Sequence, residues 1–126
     1  MKHFLILFAF ISLFASCEQL ASTQEQVTRE ELEKQRQLID ELVAAAGCNE
    51  AAQCRFIGIG SKACGGPQGY LIYSSNVDEE KLKKMVERYN ATEAAYNEQN
   101  GIMSDCSIPA EPQQLDCAEG NCVEIE

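Results

Sequence analysis

Seven cysteines are the residues of this 126-residue chain best equipped for chemistry. Thiols can ligate a metal, attack a carbonyl or pair as disulfides. Cys48, Cys54, Cys64, Cys106, Cys117 and Cys122 are separated by 5, 9, 41, 10 and 4 residues. No C-x-x-C knuckle occurs, so a zinc site of ordinary spacing is not expected. A Cys–His pair or a Ser–His–Asp triad needs an imidazole, and the one histidine is His3, in a segment expected to be removed. Pairing is the chemistry that remains. Six thiols make three bridges in an oxidising compartment, and spacing alone does not fix the connectivity.

Other constellations are weaker. Ser61-Lys62 would make a poor serine–lysine dyad, because adjacent strand residues point to opposite faces. Two carboxylates could hydrolyse a glycoside, but most acids here fall on helix caps and exposed faces. Asp116, Glu119, Asn121 and Glu124 lack the ligand spacing of an EF-hand. Gly65-Gly66 could cradle an anion with backbone amides, yet no Gly-Lys-Ser/Thr follows and no helix starts there. The sequence therefore predicts no enzyme, no catalytic residue, no metal and no cofactor.

The seventh cysteine, Cys17, stands apart. Lys2 and His3 precede Phe4 to Ala15, a run of 12 residues in which only Ser12 is not apolar. A spanning helix needs about 20 apolar residues, and a core helix would show a polar face. The run has the proportions of a secretory signal peptide, residues 1–16. Phe14, Ala15, Ser16 and Cys17 resemble a bacterial lipobox, in which small residues precede a cysteine that becomes lipidated and then N-terminal. Phe14 departs from the commonest pattern, which has Leu three before the cysteine. Cleavage near Ala21, discarding Cys17, would also leave six cysteines, so parity speaks for export more firmly than for lipidation. The expected anchor is Cys17, followed by a polar tether over 17–27.

Removing residues 1–16 takes away Lys2 and leaves 9 cations against 20 carboxylates, so the net charge moves from −10 to −11. That balance opposes binding to nucleic acid or to an anionic lipid surface and would suit a basic partner. Solubility is the plainer explanation of the charge.

The elements that position the cysteines read clearly. Thr28 with Glu31 suggests a capping box, and Val27 with Leu32 a hydrophobic staple. Leu32, Ile39, Leu42, Val43 and Ala46 recur at helical spacing, and Gly47 suits a left-handed cap. A helix is predicted over 29–46. "CRFIGIG" and "GYLIYSS" predict strands near 54–59 and 69–74, joined by the loop "SKACGGPQG". Asp78 caps a second helix over 79–100, with Leu82, Met85, Val86, Tyr89 and Tyr96 on one face and a break at Thr92 or Glu93. "QLDCAEGNCVEI" predicts a hairpin turning over Glu119-Gly120-Asn121. The expected fold is α+β: two helices packed on a small antiparallel sheet, disulfide-stapled, in one domain over 28–126. Long-range bridges should tie Cys48, Cys54 and Cys64 to Cys106, Cys117 and Cys122; a Cys117–Cys122 link is the alternative.

The segments "CRFIGIGSKACGGP", "YLIYS", "SDC" and "CAEGNCV", over residues 48–124, resemble small cysteine-rich bacterial lipoproteins of Bacteroidota type. The resemblance implies an envelope location and a shared scaffold, and no catalytic residue. The expected function is an envelope-anchored lipoprotein, membrane-bound through its lipid and facing an oxidising compartment, that serves as a binding or structural module for a protein partner. The alternative is an inhibitor of an exported enzyme such as a protease, with Lys62-Ala63 as the bait bond in the Cys54–Cys64 loop. Lys62 as a solvated turn residue is the plainer reading of that loop.

Overall fold

The structure is a computed structural model and describes residues 26–125. The expected signal segment, Cys17 and most of the tether lie outside the described residues. Helix α1 spans Arg29–Ala46. Thr28 is extended, and its Oγ1 accepts from the Glu31 N–H at 3.1 Å. The reciprocal arm of the expected capping box is not made: the Glu31 carboxylate accepts from Gln35 Nε2 instead. Gly47 ends α1 at φ 58° but ψ 170°, so it has the positive φ of a left-handed cap without its ψ.

After a 3-10 turn over Ala51–Gln53, strand β1 (Cys54–Ile59) pairs antiparallel with β2 (Gly69–Ser74), setting Phe56 opposite Ile72 and Ile59 opposite Gly69. Helix α2 spans Glu79–Asn100. Asp78 Oδ1 accepts from the Lys81 N–H at 3.0 Å, and Gly101, left-handed at φ 60°, closes the C-terminus. There the Ile102 N–H donates to Asn97 O at 2.9 Å, capping an otherwise orphaned carbonyl. Strands β3 (Leu115–Ala118) and β4 (Asn121–Glu124) form a second hairpin. Its turn is Glu119-Gly120 alone, at φ 51° and 80°, two positive values that match strand twist in a two-residue turn. Asn121, expected in the turn, pairs with Ala118 instead.

The helices run antiparallel. Arg29 reaches Tyr96, Gln35 reaches Thr92, and the Val27 N–H donates to Gln99 Oε1 at 3.0 Å. Alternation along β1–β2 places Ile57, Ile59, Leu71 and Tyr73 on one face, and that face meets both helices. Ile39 of α1 and Leu82 and Val86 of α2 are buried at the centre, with exposures of 0, 1 and 1%. Each such side chain stabilises the fold by about 1.5–3 kcal/mol relative to exposure.

The α+β architecture is as the sequence predicts, but the single small sheet is two separate two-stranded sheets. Sulfur joins them rather than a hydrogen-bond ladder. Cys48 pairs with Cys117 and Cys54 with Cys122, while Cys64 pairs with Cys106. All three bridges run from front to tail, over separations of 69, 68 and 42 residues. Closing such loops restricts the unfolded chain, at about 2–4 kcal/mol per bridge. Cys117 and Cys122 lie opposite each other in the β3–β4 register, yet each bonds a different residue.

Candidate functional site

A groove of about 770 Å³ lies between α1 and α2. That size falls in the range of about 300–1,000 Å³ usual for ligand sites. Leu32, Tyr89, Tyr96 and Ile102 supply its apolar surface, and α1 contributes Glu33, Arg36, Asp40 and Glu41 to its rim. Capping sets this geometry. Thr28 starts α1 so that Arg29 comes beside the end of α2, and Gly101 ends α2 so that Ile102 turns back to the groove. The Arg29 guanidinium lies 5.9 Å from the Tyr96 ring centroid, and its Nη2 is 3.5 Å from the Tyr96 hydroxyl. Arg36 Nε donates to both Asp40 carboxylate oxygens, at 3.0 and 3.1 Å.

Beside the groove, α2 grips the end of β1 with three polar side chains. Asn90 Oδ1 accepts from the Gly60 N–H at 2.7 Å, and Asn90 Nδ2 donates to Gly58 O at 3.4 Å. The Glu93 carboxylate accepts from the Ser61 N–H, and its other oxygen accepts from the Tyr89 hydroxyl at 3.3 Å. Asn97, 8% exposed, donates through Nδ2 to Ser61 O at 2.7 Å. The chain leaving β1 has no strand partner for these groups, and orphaned buried amides are costly. The network is thus structural, with every member engaged by its neighbour. Burial pushes the Tyr89 phenol above its ordinary 10.0, and the adjacent Glu93 carboxylate adds to the rise.

The sequence pattern puts the break in the apolar face at Thr92 or Glu93 and gives Asn90 and Asn97 no structural role. Their i, i+3, i+7 spacing, flush with the Leu82–Val86–Tyr89 stripe, was the available signal.

Cys54 and Cys64, which frame the Lys62-Ala63 loop, are both bridged to the tail, as expected; the conformation of Lys62 is what differs. The Lys62 side chain is 10% exposed, and Nζ donates to Asp105 Oδ1 at 3.0 Å, Ser107 O at 2.5 Å and Ser107 Oγ at 3.0 Å. A bait lysine must extend into a protease's specificity pocket; this one is folded onto the connector between α2 and β3. It is no solvated turn residue either. Hydrogen bonds from the Ser107 hydroxyl, then from Lys62, hold the Asp105 carboxyl at about 2. Lys62 turns to the connector, and the Ser61 N–H and carbonyl are taken by α2.

Gly65 and Gly66, at φ 91° and 83°, let the loop close on itself, with Gly65 N–H donating to Lys62 O at 2.9 Å and Lys62 N–H to Gly66 O at 2.9 Å. The sulfurs of Cys48, Cys54 and Cys122 lie within 4.8 Å of one another because two bridges stack. Bonded sulfurs offer a metal no thiolate.

Three bridges in one domain are the mark of an oxidising, extracytoplasmic environment. Among the described residues no helix is long and apolar enough to cross a membrane. Compared with known proteins, the chain matches no family model, no curated protein and no solved structure.

Proposed function

We propose that the chain is an envelope-anchored lipoprotein whose domain is a binding module, tethered through a lipidated Cys17. One observation carries the anchoring: Cys17 directly follows the signal-like run, with Ala15 and Ser16 before it in a lipobox-like setting. The three bridges use all six cysteines of the domain, so none of them needs Cys17 as a partner; that parity fits export. The resemblance to small cysteine-rich lipoproteins supports the same reading.

The binding role rests on the groove. Glu93 and Asn97 in its wall are committed to the fold, whereas Leu32, Tyr89, Tyr96 and Ile102 give this concavity of ligand-site size an apolar lining. The Val27–Gln99 contact brings the tether in at the groove's Arg29–Tyr96 end. Nine residues, Glu18–Gln26, separate Cys17 from Val27, and nine residues span at most about 30 Å. A partner at the membrane surface would meet the groove within that reach.

The test is metabolic labelling with a clickable fatty acid in a bacterial host. Label should travel with the wild-type chain into the membrane fraction and be lost in Cys17→Ser. Label retained on that variant, or a wild-type chain that runs as a Cys17-linked dimer on a non-reducing gel, contradicts the anchor.

A further inference from the structure

The geometry points to a basic, amphipathic helix of a partner protein as the occupant of the α1–α2 groove. This rests on the binding-module reading and names the partner's chemistry.

Shape comes first. The α1 side of the groove runs from Arg29 to Ala44. At 1.5 Å per residue that stretch is about 22 Å, the length of about four helical turns. Its members recur every three or four residues, which is the spacing a second helix packs against. The apolar floor is broad enough for one stripe: Leu32 is buried, Tyr89 and Tyr96 are half-buried, and Ile102 is 41% exposed. Met103 beside it is 91% exposed and extends the apolar surface beyond the groove's end. A small polar ligand fits less well. It needs several unfilled polar groups converging on it, and Arg36, Asp40, Glu93 and Asn97 are already bonded within the fold.

Charge then selects among helices. The Arg36 cation is neutralised by Asp40, and the Arg29 cation lies against the Tyr96 ring. Glu33 and Glu41 remain as exposed rim carboxylates without a cationic partner among the described residues. They lie eight positions apart on one helix, about 12 Å, and would meet cations two turns apart on the incoming helix. The whole chain carries −10, which steers a basic partner inward and repels an acidic one.

The experiment is a fluorescence-anisotropy titration of the full chain carrying Cys17→Ser, so that no lipid competes for the probe. Three labelled peptides of about 15 residues share one leucine stripe and carry lysine, glutamate or glutamine on the polar face. The lysine peptide should bind saturably. Glu33→Lys/Glu41→Lys should weaken it about tenfold or more, because rim charges of the right sign become wrong. Ala44→Trp, which fills the groove at an exposed position, should weaken it as well. Glu80→Lys/Glu87→Lys changes the net charge equally at exposed positions outside the groove and should cost less than about threefold by loss of general attraction. Unaltered unfolding midpoints confirm that the variants are folded. Equal losses in both lysine pairs would mean mere charge attraction and overturn the inference. Preferred binding of the glutamate or glutamine peptide, blocked by Ala44→Trp, would overturn the charge assignment and leave the module reading standing. No saturable binding of any peptide would overturn both.

Discussion

Gly60 stands where β1 gives way to the Lys62 loop, and its replacement by alanine isolates what the α2 polar network contributes. Its φ is +84°, and a Cβ there would lie 2.6 Å from both Cβ and Cγ of Gln68 and 2.8 Å from a Glu93 carboxylate oxygen. Gln68 has little freedom to retreat, because its N–H donates to Ile59 O and its Nε2 donates to Ser61 O. The left-handed backbone alone costs an alanine about 1–2 kcal/mol. Forcing the Gln68 and Glu93 contacts apart adds about 1–3 kcal/mol, as overpacking does elsewhere. Gly65→Ala supplies the control: φ is +91°, but nothing lies within 4 Å of the added carbon, so only the backbone cost applies. Both variants are unfolded in urea with the disulfides intact. For m of about 1–3 kcal/mol/M, Gly60→Ala should fall below Gly65→Ala by about 1 M in midpoint. Coincident midpoints would show that the Gly60–Gln68–Glu93 packing is not tight, and the argument from the network would fail.

Four further outcomes follow from particular residues. Val86→Asp places a charge at a site 1% exposed among Ile39, Leu82 and Ile59, and should cost several kcal/mol or abolish folding, read as lost thermal cooperativity. Asp105 is an acid whose folded value, about 2, lies below its ordinary 3.8, so its contribution to holding the connector is full above pH 3.8 and fades as pH falls towards 2. Its carboxyl carbon, followed by NMR, should titrate near 2; an inflection near 3.8 would mean that the Ser107 and Lys62 contacts are absent in solution. Cys64 and Cys106 are both exposed whereas Cys48 and Cys54 are buried, so limited phosphine reduction followed by alkylation should modify Cys64 and Cys106 first; early modification of Cys48 would contradict the burial. Glu93→Gln keeps one acceptor for the Ser61 N–H but removes the charge that raises the Tyr89 phenol, so the Tyr89 ultraviolet titration should move down, and an unmoved curve would contradict the Tyr89–Glu93 contact.

Local chemistry made the helices and strands legible. Thr28 and Asp78 are caps whose oxygens satisfy backbone donors within three residues, so the starts of α1 and α2 need nothing beyond the segment itself. The front-to-tail direction of the bridges was legible too, because the gap of 41 residues separates the six cysteines into two groups of three. Other features depend on partners distant in sequence. The Lys62 side chain is largely covered only when Cys64–Cys106 brings Asp105 and Ser107 across from more than 40 positions away. The division into two sheets follows from bridges that hold β3–β4 beside β1–β2 without a shared ladder, which alternation cannot reveal. The groove arises from how two antiparallel helices sit against each other, and both tyrosines in it have the spacing of core residues.

The central claim is tested most directly by the mass of the N-terminal peptide of the chain recovered from a bacterial membrane fraction. The peptide should begin at Cys17 and carry lipid, and the other peptides of the same unreduced digest should be linked as 48–117, 54–122 and 64–106. An unmodified Cys17, or a peptide that begins beyond it, would contradict the account.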